Sequence, residues 1–189
     1  MANKVTLSCT VEGPLTLTND PRHNIKVIKE SGYQRLGEGH GRTVYDRGDG
    51  FVLKHARNKY GVAQNLAEIR NGRDRHPMLA PVTEWNYRGT WIVMVKGEKV
   101  KQKELRALLG GLWPYQFCDA IKNHVDEGGS DIVSVAYRLV RDKKMSIGDL
   151  RKFSSWATIN GSPVLIDYGI DLESYTSCYE HKFNFNGVA

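Results

Sequence analysis

"YQRLGEGHGRTVYDRGDGFVLKHA", residues 33–56, is the stretch that decides the fold. Three glycines (Gly37, Gly39 and Gly41) fall within five positions, between two segments in which apolar and polar residues alternate. Alternation of this kind predicts β-strands. The run DRGDG at 46–50 has the composition of a tight turn. We therefore expect three consecutive antiparallel strands, the third formed by FVLKHA.

The glycine cluster has the composition of a phosphate-binding loop. Without side chains in the way, several backbone N–H groups can approach phosphate oxygens. Lys54, in the apolar run FVLK on the next strand, can reach the same phosphates as a point charge. Val44 on the returning strand can pack against a base. The alternative for this stretch alone is a plain hairpin with an exposed lysine.

The segment after the lysine strand has the pattern of a short helix. Its apolar residues Val62, Leu66 and Ile69 are spaced four and three positions apart. Glu68 lies on the same segment. If the helix packs on the sheet, Glu68 can pair with Lys54 and orient it. The alternative is an ordinary surface glutamate.

Composition and charge favour a globular chain of one domain, or of one domain with two lobes. Hydrophobic residues make up 40% and charged residues 25% of the 189 positions, close to globular averages. The formal net charge of +6 suits a polyanionic partner, whether nucleotide, nucleic acid or acidic protein. A solvated basic surface is the alternative.

Several function classes are disfavoured by what the sequence contains. The longest apolar run, WIVMV at 91–95, is too short to span a bilayer, and the stretch MANKVTLSCTV lacks the apolar region of a signal peptide. The three cysteines lie far apart, so neither a disulfide framework nor a zinc site is expected. We expect no membrane partner and a cytoplasmic location.

The rest of the chain divides into further strands and then helices. Two short extended pieces are predicted at 4–18, and a helix capped by Asp20 at 20–32. Two strands joined by a turn at 86–89 follow. Helices are predicted at 102–111, 113–129 and 130–144, the last capped by Ser130, before a strand in SPVLIDYGID. The tail 174–189 is interpreted either as an autophosphorylation or docking segment or as a packed strand.

These residues together resemble a known family. LGEGHGRTVY, FVLK and the helical Glu68 are similar to the glycine-rich loop, strand lysine and helix-C glutamate of the protein-kinase fold. LIDYG at 165–169 resembles the Asp-Phe-Gly motif that holds magnesium. Asp149 lies 18 positions before Asp167, the separation that kinases show between their catalytic-loop and magnesium-binding aspartates. Over roughly residues 33–170 the chain resembles the small, divergent protein kinases encoded by bacteriophages.

The resemblance implies an α+β, two-lobed, protein-kinase-like fold with an antiparallel-sheet N-lobe and a truncated helical C-lobe. The expected division is an N-terminal extension at 1–32, an N-lobe at 33–98 and a C-lobe at 99–189. Only 20 residues follow Gly169, and they contain no Ala-Pro-Glu motif. We therefore expect the helices that dock peptide substrates in ordinary protein kinases to be missing.

The resemblance also implies a site for ATP and Mg²⁺. Asp149 would accept the hydroxyl proton, Lys54 would contact the α- and β-phosphates, and Lys152 would steady the γ-phosphate. Asp167, with Ser154, would bind magnesium. A hinge at 94–97 would face adenine. The residues expected to bind the nucleotide are Gly37, Gly39, Gly41, Val44, Lys54, Glu68 and Met94.

Three departures from the family pattern bear on catalysis. Arg42 stands where the third loop glycine is usual, and Ile147-Gly148 replace the His-Arg that precedes the catalytic aspartate. Ser154 replaces the catalytic-loop asparagine. A serine hydroxyl is a poorer cation ligand than an amide carbonyl, so we expect magnesium binding to be weakened.

The implied function is that of a phage-type serine/threonine protein kinase, which transfers the γ-phosphate of ATP to hydroxyls of host proteins in the host cytoplasm. The alternative is a catalytically weak pseudokinase that binds and inhibits a host protein. A third possibility, a small-molecule phosphotransferase of the aminoglycoside-kinase kind, is disfavoured by the basic surface. Nucleic acid remains open as a further partner.

Overall fold

The computed structural model describes residues 17–125 and 129–178 as an α+β structure. Its first part contains two helices and five strands in the order α1 (Pro21–Glu30), β1 (Gln34–Glu38), β2 (Arg42–Asp46), β3 (Phe51–Ala56), α2 (Lys59–Gly72), β4 (Val82–Trp85) and β5 (Trp91–Val95). Its second part contains α3 (Gln102–Leu108), α4 (Pro114–Lys122), α5 (Ile132–Lys143), α6 (Ile147–Arg151), a 3-10 turn (Phe153–Ser155), β6 (Trp156–Ile159), β7 (Ser162–Leu165) and α7 (Leu172–Cys178).

The five strands of the first part form one antiparallel sheet in the order β1-β2-β3-β5-β4. The prediction of three consecutive antiparallel strands is therefore confirmed. β3 is central, and Lys54 lies opposite Val44 of β2 on one side and Ile92 of β5 on the other. Both faces of β3 are covered, since Val52 packs in the main core and Leu53 packs against Ile28 of α1, which explains its apolar composition.

Local sequence explains where the first two helices begin. Asp20 caps α1 by accepting a hydrogen bond from the Arg22 amide. Asn58 caps α2, because its Oδ1 accepts from the amides of Tyr60 and Gly61. Both are residue types that satisfy the unpaired donors of a first helical turn.

The main core lies between the inner face of the sheet and the helices of the second part, so both parts share it. Its largest fully buried side chains include Ile92, Met94, Leu105, Phe117, Leu139, Met145 and Tyr168. The outer face of the sheet has its own small cluster, in which Ile28 of α1 packs with Leu53 and Val93. The helix within the predicted 1–32 extension thus covers the sheet.

Backbone hydrogen bonds hold the β6–β7 hairpin against the sheet part. Leu165 accepts a bond from the Ala80 amide at 2.9 Å and donates one to Met78 at 2.8 Å. Glu98, just after the sheet, exchanges two bonds with Thr158 of β6, at 2.8 and 2.9 Å. These bonds fix the position of residues 166–169, which follow β7 directly.

The last helix, α7, packs against the back of α2. Arg70 of α2 donates to both carboxylate oxygens of Asp171, with Nη2 at 2.9 Å from Oδ1 and from Oδ2. Asp171 Oδ1 also accepts from the Ser174 amide at 2.8 Å, which satisfies a donor in the first turn of α7. The same side chain therefore starts α7 and joins it to α2.

Four details differ from the sequence predictions. Asp131, not Ser130, caps α5, because its Oδ1 accepts from the amides of Val133 and Ser134. α4 ends at Lys122, before the predicted 129, and β6 was not predicted. The tail residues 174–178 are helical, so the strand interpretation is wrong there. The extended pieces predicted at 4–16 and the tail beyond 178 lie outside the described residues.

Within the two described ranges, no helix has the length and apolar character needed to cross a membrane.

Candidate functional site

Lys54 and Glu68 form a buried ion pair between β3 and α2. Lys54 Nζ lies 2.9 Å from Oε1 and 2.7 Å from Oε2 of Glu68, and the two residues are 4% and 0% exposed. Nζ also donates to the carbonyl of Ile166 at 2.5 Å. The pairing predicted from the sequence is thus present, and the three contacts match the three donors of an ammonium group.

Strand alternation explains why Lys54 faces the helix. Val52 packs in the main core and Leu53 in the outer cluster, so successive β3 side chains point to opposite faces. Lys54 shares the inner face with Val52. Burial lowers the pKa of Lys54, and nearby Arg42 acts in the same direction, while Glu68 opposes both.

Arg42 is a second buried cation in the site, and the sequence interpretation did not give it a role. Its Nη1 lies 2.9 Å from Glu68 Oε2, and its Nη2 lies 2.7 Å from Asp167 Oδ1. Nη1 also lies 3.3 Å from Asn65 Oδ1. The desolvation of Arg42 is outweighed by the two carboxylates, which raise its pKa above the usual value. The one indication in the sequence was an arginine at the place of a glycine.

Asp167 lies in the loop that follows β7, and this loop places it beside the Lys54–Glu68 pair. Its side chain is 52% exposed although Oδ1 contacts Arg42. Desolvation alone would raise its pKa, but the charges of Arg42, Lys54 and Lys152 lower the pKa below its usual value. Asp167 is therefore a carboxylate that stays ionised and that still faces solvent.

Tyr168 fixes the loop that carries Asp167. Its amide donates to Glu68 Oε1 at 3.3 Å, and its hydroxyl donates to the carbonyl of Ala80 at 2.6 Å. A Cβ on Gly72 would lie only 2.1 Å from this hydroxyl. The last turn of α2 thus needs a glycine to accommodate the tyrosine.

Asp149 lies on α6 and is 3% exposed. Its Oδ1 lies 3.1 Å from Lys152 Nζ. Burial, together with the charge of Asp167, raises the pKa of Asp149 to about 6. A carboxylate with that pKa is ionised at neutral pH and is a better proton acceptor than an ordinary aspartate.

The short helix α6 is held in place by contacts on both sides of Asp149. Ser146 caps it by accepting from the Gly148 amide. The indole Nε1 of Trp156 donates to the Leu150 carbonyl at 2.8 Å, and Cys118 contacts the Ile147 carbonyl. Burial raises the pKa of the Cys118 thiol to about 11, which makes it an inert packing residue.

The three loop glycines occupy different environments. Gly37 and Gly39 are exposed, and a Cβ on either would meet no atom within 4 Å. The Gly39 amide donates to the Arg42 carbonyl at 2.9 Å and so closes the hairpin. Gly41 is buried, and a Cβ there would lie 2.5 Å from the amide nitrogen of Gly61 in α2. Close packing on α2 therefore accounts for Gly41 without a ligand.

The other predicted ligand residues are spread around this centre. Met94 is fully buried on β5, opposite Val52 and Val82, because β5 is an inner strand of the sheet. Its side chain belongs to the main core. Val44 lies half-buried at the edge of that core. Ser154 is exposed on the 3-10 turn.

The donor set can be tested against magnesium. Among the described residues, no three His, Cys, Asp or Glu side chains converge to hold a metal by themselves. Mg²⁺ is usually bound by one or two carboxylates, with waters and substrate phosphates completing its shell. The half-exposed, ionised Asp167 fits that role when a nucleotide supplies the remaining oxygens.

The site brings together six charged side chains and can carry an anion, a cation and a proton acceptor at one place. No protein-family model matches this sequence, and no curated protein matches it. The six charged side chains of the site are the cations Arg42, Lys54 and Lys152 and the carboxylates Glu68, Asp149 and Asp167.

Proposed function

We propose that the protein is a magnesium- and ATP-dependent phosphotransferase of the protein-kinase type, with a two-lobed kinase-like fold. The observation that carries the proposal is the buried pair between Lys54 of the third strand and Glu68 of the next helix. In protein kinases a lysine on the third strand pairs with a glutamate of the following helix and contacts the phosphates. The five-stranded antiparallel sheet and the helices after it support the same proposal.

On this proposal the nucleotide lies between the glycine hairpin and Asp167. Lys54 would bind the α- and β-phosphates, and the exposed backbone at Gly37 and Gly39 would cover them. Bound magnesium would neutralise charge on the β- and γ-phosphates, and Asp167 would hold it. Lys152, whose pKa is raised by Asp149 despite partial burial, would stay charged beside the γ-phosphate.

Asp149 would act as the proton acceptor. The acceptor hydroxyl oxygen forms a bond to the γ-phosphorus, the bond to the bridging oxygen of ADP breaks, and the hydroxyl proton passes to the Asp149 carboxylate. The pKa of about 6 keeps that carboxylate ionised at neutral pH. The proposed acceptors are serine and threonine hydroxyls of host proteins in the cytoplasm, as the resemblance to phage kinases implies.

One observation favours a second candidate, a pseudokinase that binds and inhibits a host protein. Every donor of the Lys54 ammonium is already used by Glu68 and Ile166, and Arg42 already contacts Asp167. A nucleotide would have to displace some of these contacts. A chain that only binds a protein would keep them.

Labelled ATP separates the two candidates. Purified protein, with magnesium, is incubated with labelled ATP and a host lysate, beside Asp149→Asn as the matched variant. We expect the wild type to label itself or lysate proteins, and Asp149→Asn to bind ATP without labelling. Equal labelling by both would contradict the assigned base. ATP-dependent thermal stabilisation of the wild type without any transfer would favour the pseudokinase, and no ATP binding would contradict the phosphotransferase.

A further inference from the structure

Arg42 is the one member of the charged cluster that the proposed function leaves without a role. It lies on β2, at the base of the glycine hairpin, and its guanidinium is almost fully buried. It contacts Glu68 of α2 and Asp167 of the loop after β7, at 2.9 and 2.7 Å. A fixed cation thus lies on the carboxylate that is proposed to hold magnesium.

Pairing with Glu68 alone does not explain a buried arginine. Both oxygens of Glu68 already accept from Lys54, at 2.9 and 2.7 Å. Burying a second cation requires a compensating anion, because isolated buried charges are costly. Asp167 is one such anion. Because its side chain is 52% exposed, solvent already stabilises its charge without a buried cation. Around Arg42, the cations Arg42 and Lys54 therefore face the carboxylates Glu68 and Asp167, and the Asp167 side chain is held partly in solvent.

The guanidinium contacts Glu68, Asn65 and Asp167 through its two terminal nitrogens. The planar fork of an arginine matches the oxygens of a phosphate, and its charge does not titrate.

The groups that can bind a metal ion, by contrast, are few. Ser154, at the place of the kinase asparagine, is exposed, and no acidic triad forms within the described ranges. Asp167 Oδ1, a possible metal ligand, is taken by Arg42. The site therefore has one cationic side chain more and one metal ligand fewer than the kinase pattern.

We propose that Arg42 is a phosphate-binding residue that takes over part of the charge neutralisation otherwise provided by a divalent cation, so that the site binds ATP without a strict need for magnesium. This inference rests on the proposed function, since it concerns the same nucleotide. The inference predicts that residue 42 determines how strongly the affinity for ATP depends on magnesium.

The experiment measures ATP affinity by isothermal titration calorimetry, in excess magnesium chloride and in excess EDTA. The proteins are the wild type, Arg42→Gln, Arg42→Lys and Arg35→Gln. Arg35 lies on the same hairpin, exposed and paired with Glu38, so its variant has the same charge change without removing a contact to Glu68 or Asp167. We expect EDTA to weaken ATP binding less than about tenfold in the wild type and Arg35→Gln, but about a hundredfold or more in Arg42→Gln. Arg42→Lys keeps the charge without the fork and should lie between.

The outcomes distinguish this inference from the function on which it rests. Tight ATP binding in magnesium that vanishes in EDTA for the wild type would overturn the inference and leave the proposed function standing. Equal magnesium dependence in the wild type and Arg42→Gln would do the same. No ATP binding in either buffer would overturn both. If Arg42→Gln fails a folding check by circular dichroism, the wild type and Arg42→Lys still decide.

Discussion

Lys54 of β3 and Glu68 of α2, 14 positions apart, are joined by two hydrogen bonds and are both buried. The pair fixes the helix to the sheet and at the same time presents a charged group to the proposed nucleotide. A change at either residue should therefore affect both the stability of the chain and its binding of ATP.

Replacing Lys54 by methionine should weaken both properties. Removing one member of a buried ion pair generally costs about 3–5 kcal/mol of unfolding free energy. Because Arg42 would still neutralise Glu68, we expect a smaller loss, about 2 kcal/mol, in urea unfolding. Thermal stabilisation by magnesium and ATP should disappear. Lys29→Met, at an exposed position of α1, is the control, and unchanged ATP stabilisation in Lys54→Met would contradict the proposed role.

Replacing Asp149 by asparagine should make the folded chain more stable above about pH 6. The native carboxyl keeps its proton up to a pKa of about 6, whereas an unfolded aspartate releases it near pH 4. Between these values the native state binds more protons, so the contribution of this group to stability falls as the pH rises. Asparagine cannot ionise and avoids the loss.

We expect a gain of about 1–2 kcal/mol for Asp149→Asn at about pH 8, and little difference at about pH 4. Part of the full effect is offset because the variant gives up the ion pair with Lys152. Urea unfolding at both pH values measures it, with the exposed Asp119→Asn as the matched change. A variant that is less stable than the wild type at both pH values would show that the buried charge is not the dominant cost.

The rate of phosphoryl transfer should rise with pH through about 6. A proton acceptor works only when it is ionised, and the pKa of Asp149 is about 6. Initial rates of labelling between about pH 5 and pH 8, at saturating ATP, should follow a single ionisation with a half-maximal rate near that value. A rate that increases as the pH falls would assign the proton transfer to another group.

Alanine substitutions at Gly41 and Gly37 of the glycine hairpin should differ in their effect on stability. In Gly41→Ala the new Cβ would lie 2.5 Å from the Gly61 nitrogen and 2.8 Å from its Cα. Backbone at that distance has to move, and overpacking of this kind costs about 1–3 kcal/mol. Gly37→Ala, where the Cβ would meet nothing within 4 Å, should change stability by less than about 1 kcal/mol. Thermal and urea unfolding of the two variants make the comparison, and equal stabilities would contradict the close packing on α2.

Much of the sheet part could be predicted from the sequence because its determinants are local. Turn residues at 46–50 separate two alternating segments, and the strands β2 and β3 form on either side of them. Asp20 is a side-chain cap that the sequence shows directly. The Lys54–Glu68 pair followed from placing a cation on a central strand and an anion on the helix that covers it.

The features that could not be predicted depend on residues far apart in the chain. Arg42 acquires its role from Asp167, 125 positions away, and nothing near Arg42 in the sequence indicates this contact. The burial of the Met94 side chain likewise follows from the pairing of β5 with β3 and β4. β6 is only four residues long, too short for alternation to stand out from the turn before it.

The Arg70–Asp171 contact has a consequence for the site. α7 supports α2 from behind, so the end of the described chain helps to hold the helix that carries Glu68. On the proposed function, loss of the Arg70–Asp171 contact would loosen the Lys54–Glu68 pair although neither residue of that contact touches the nucleotide.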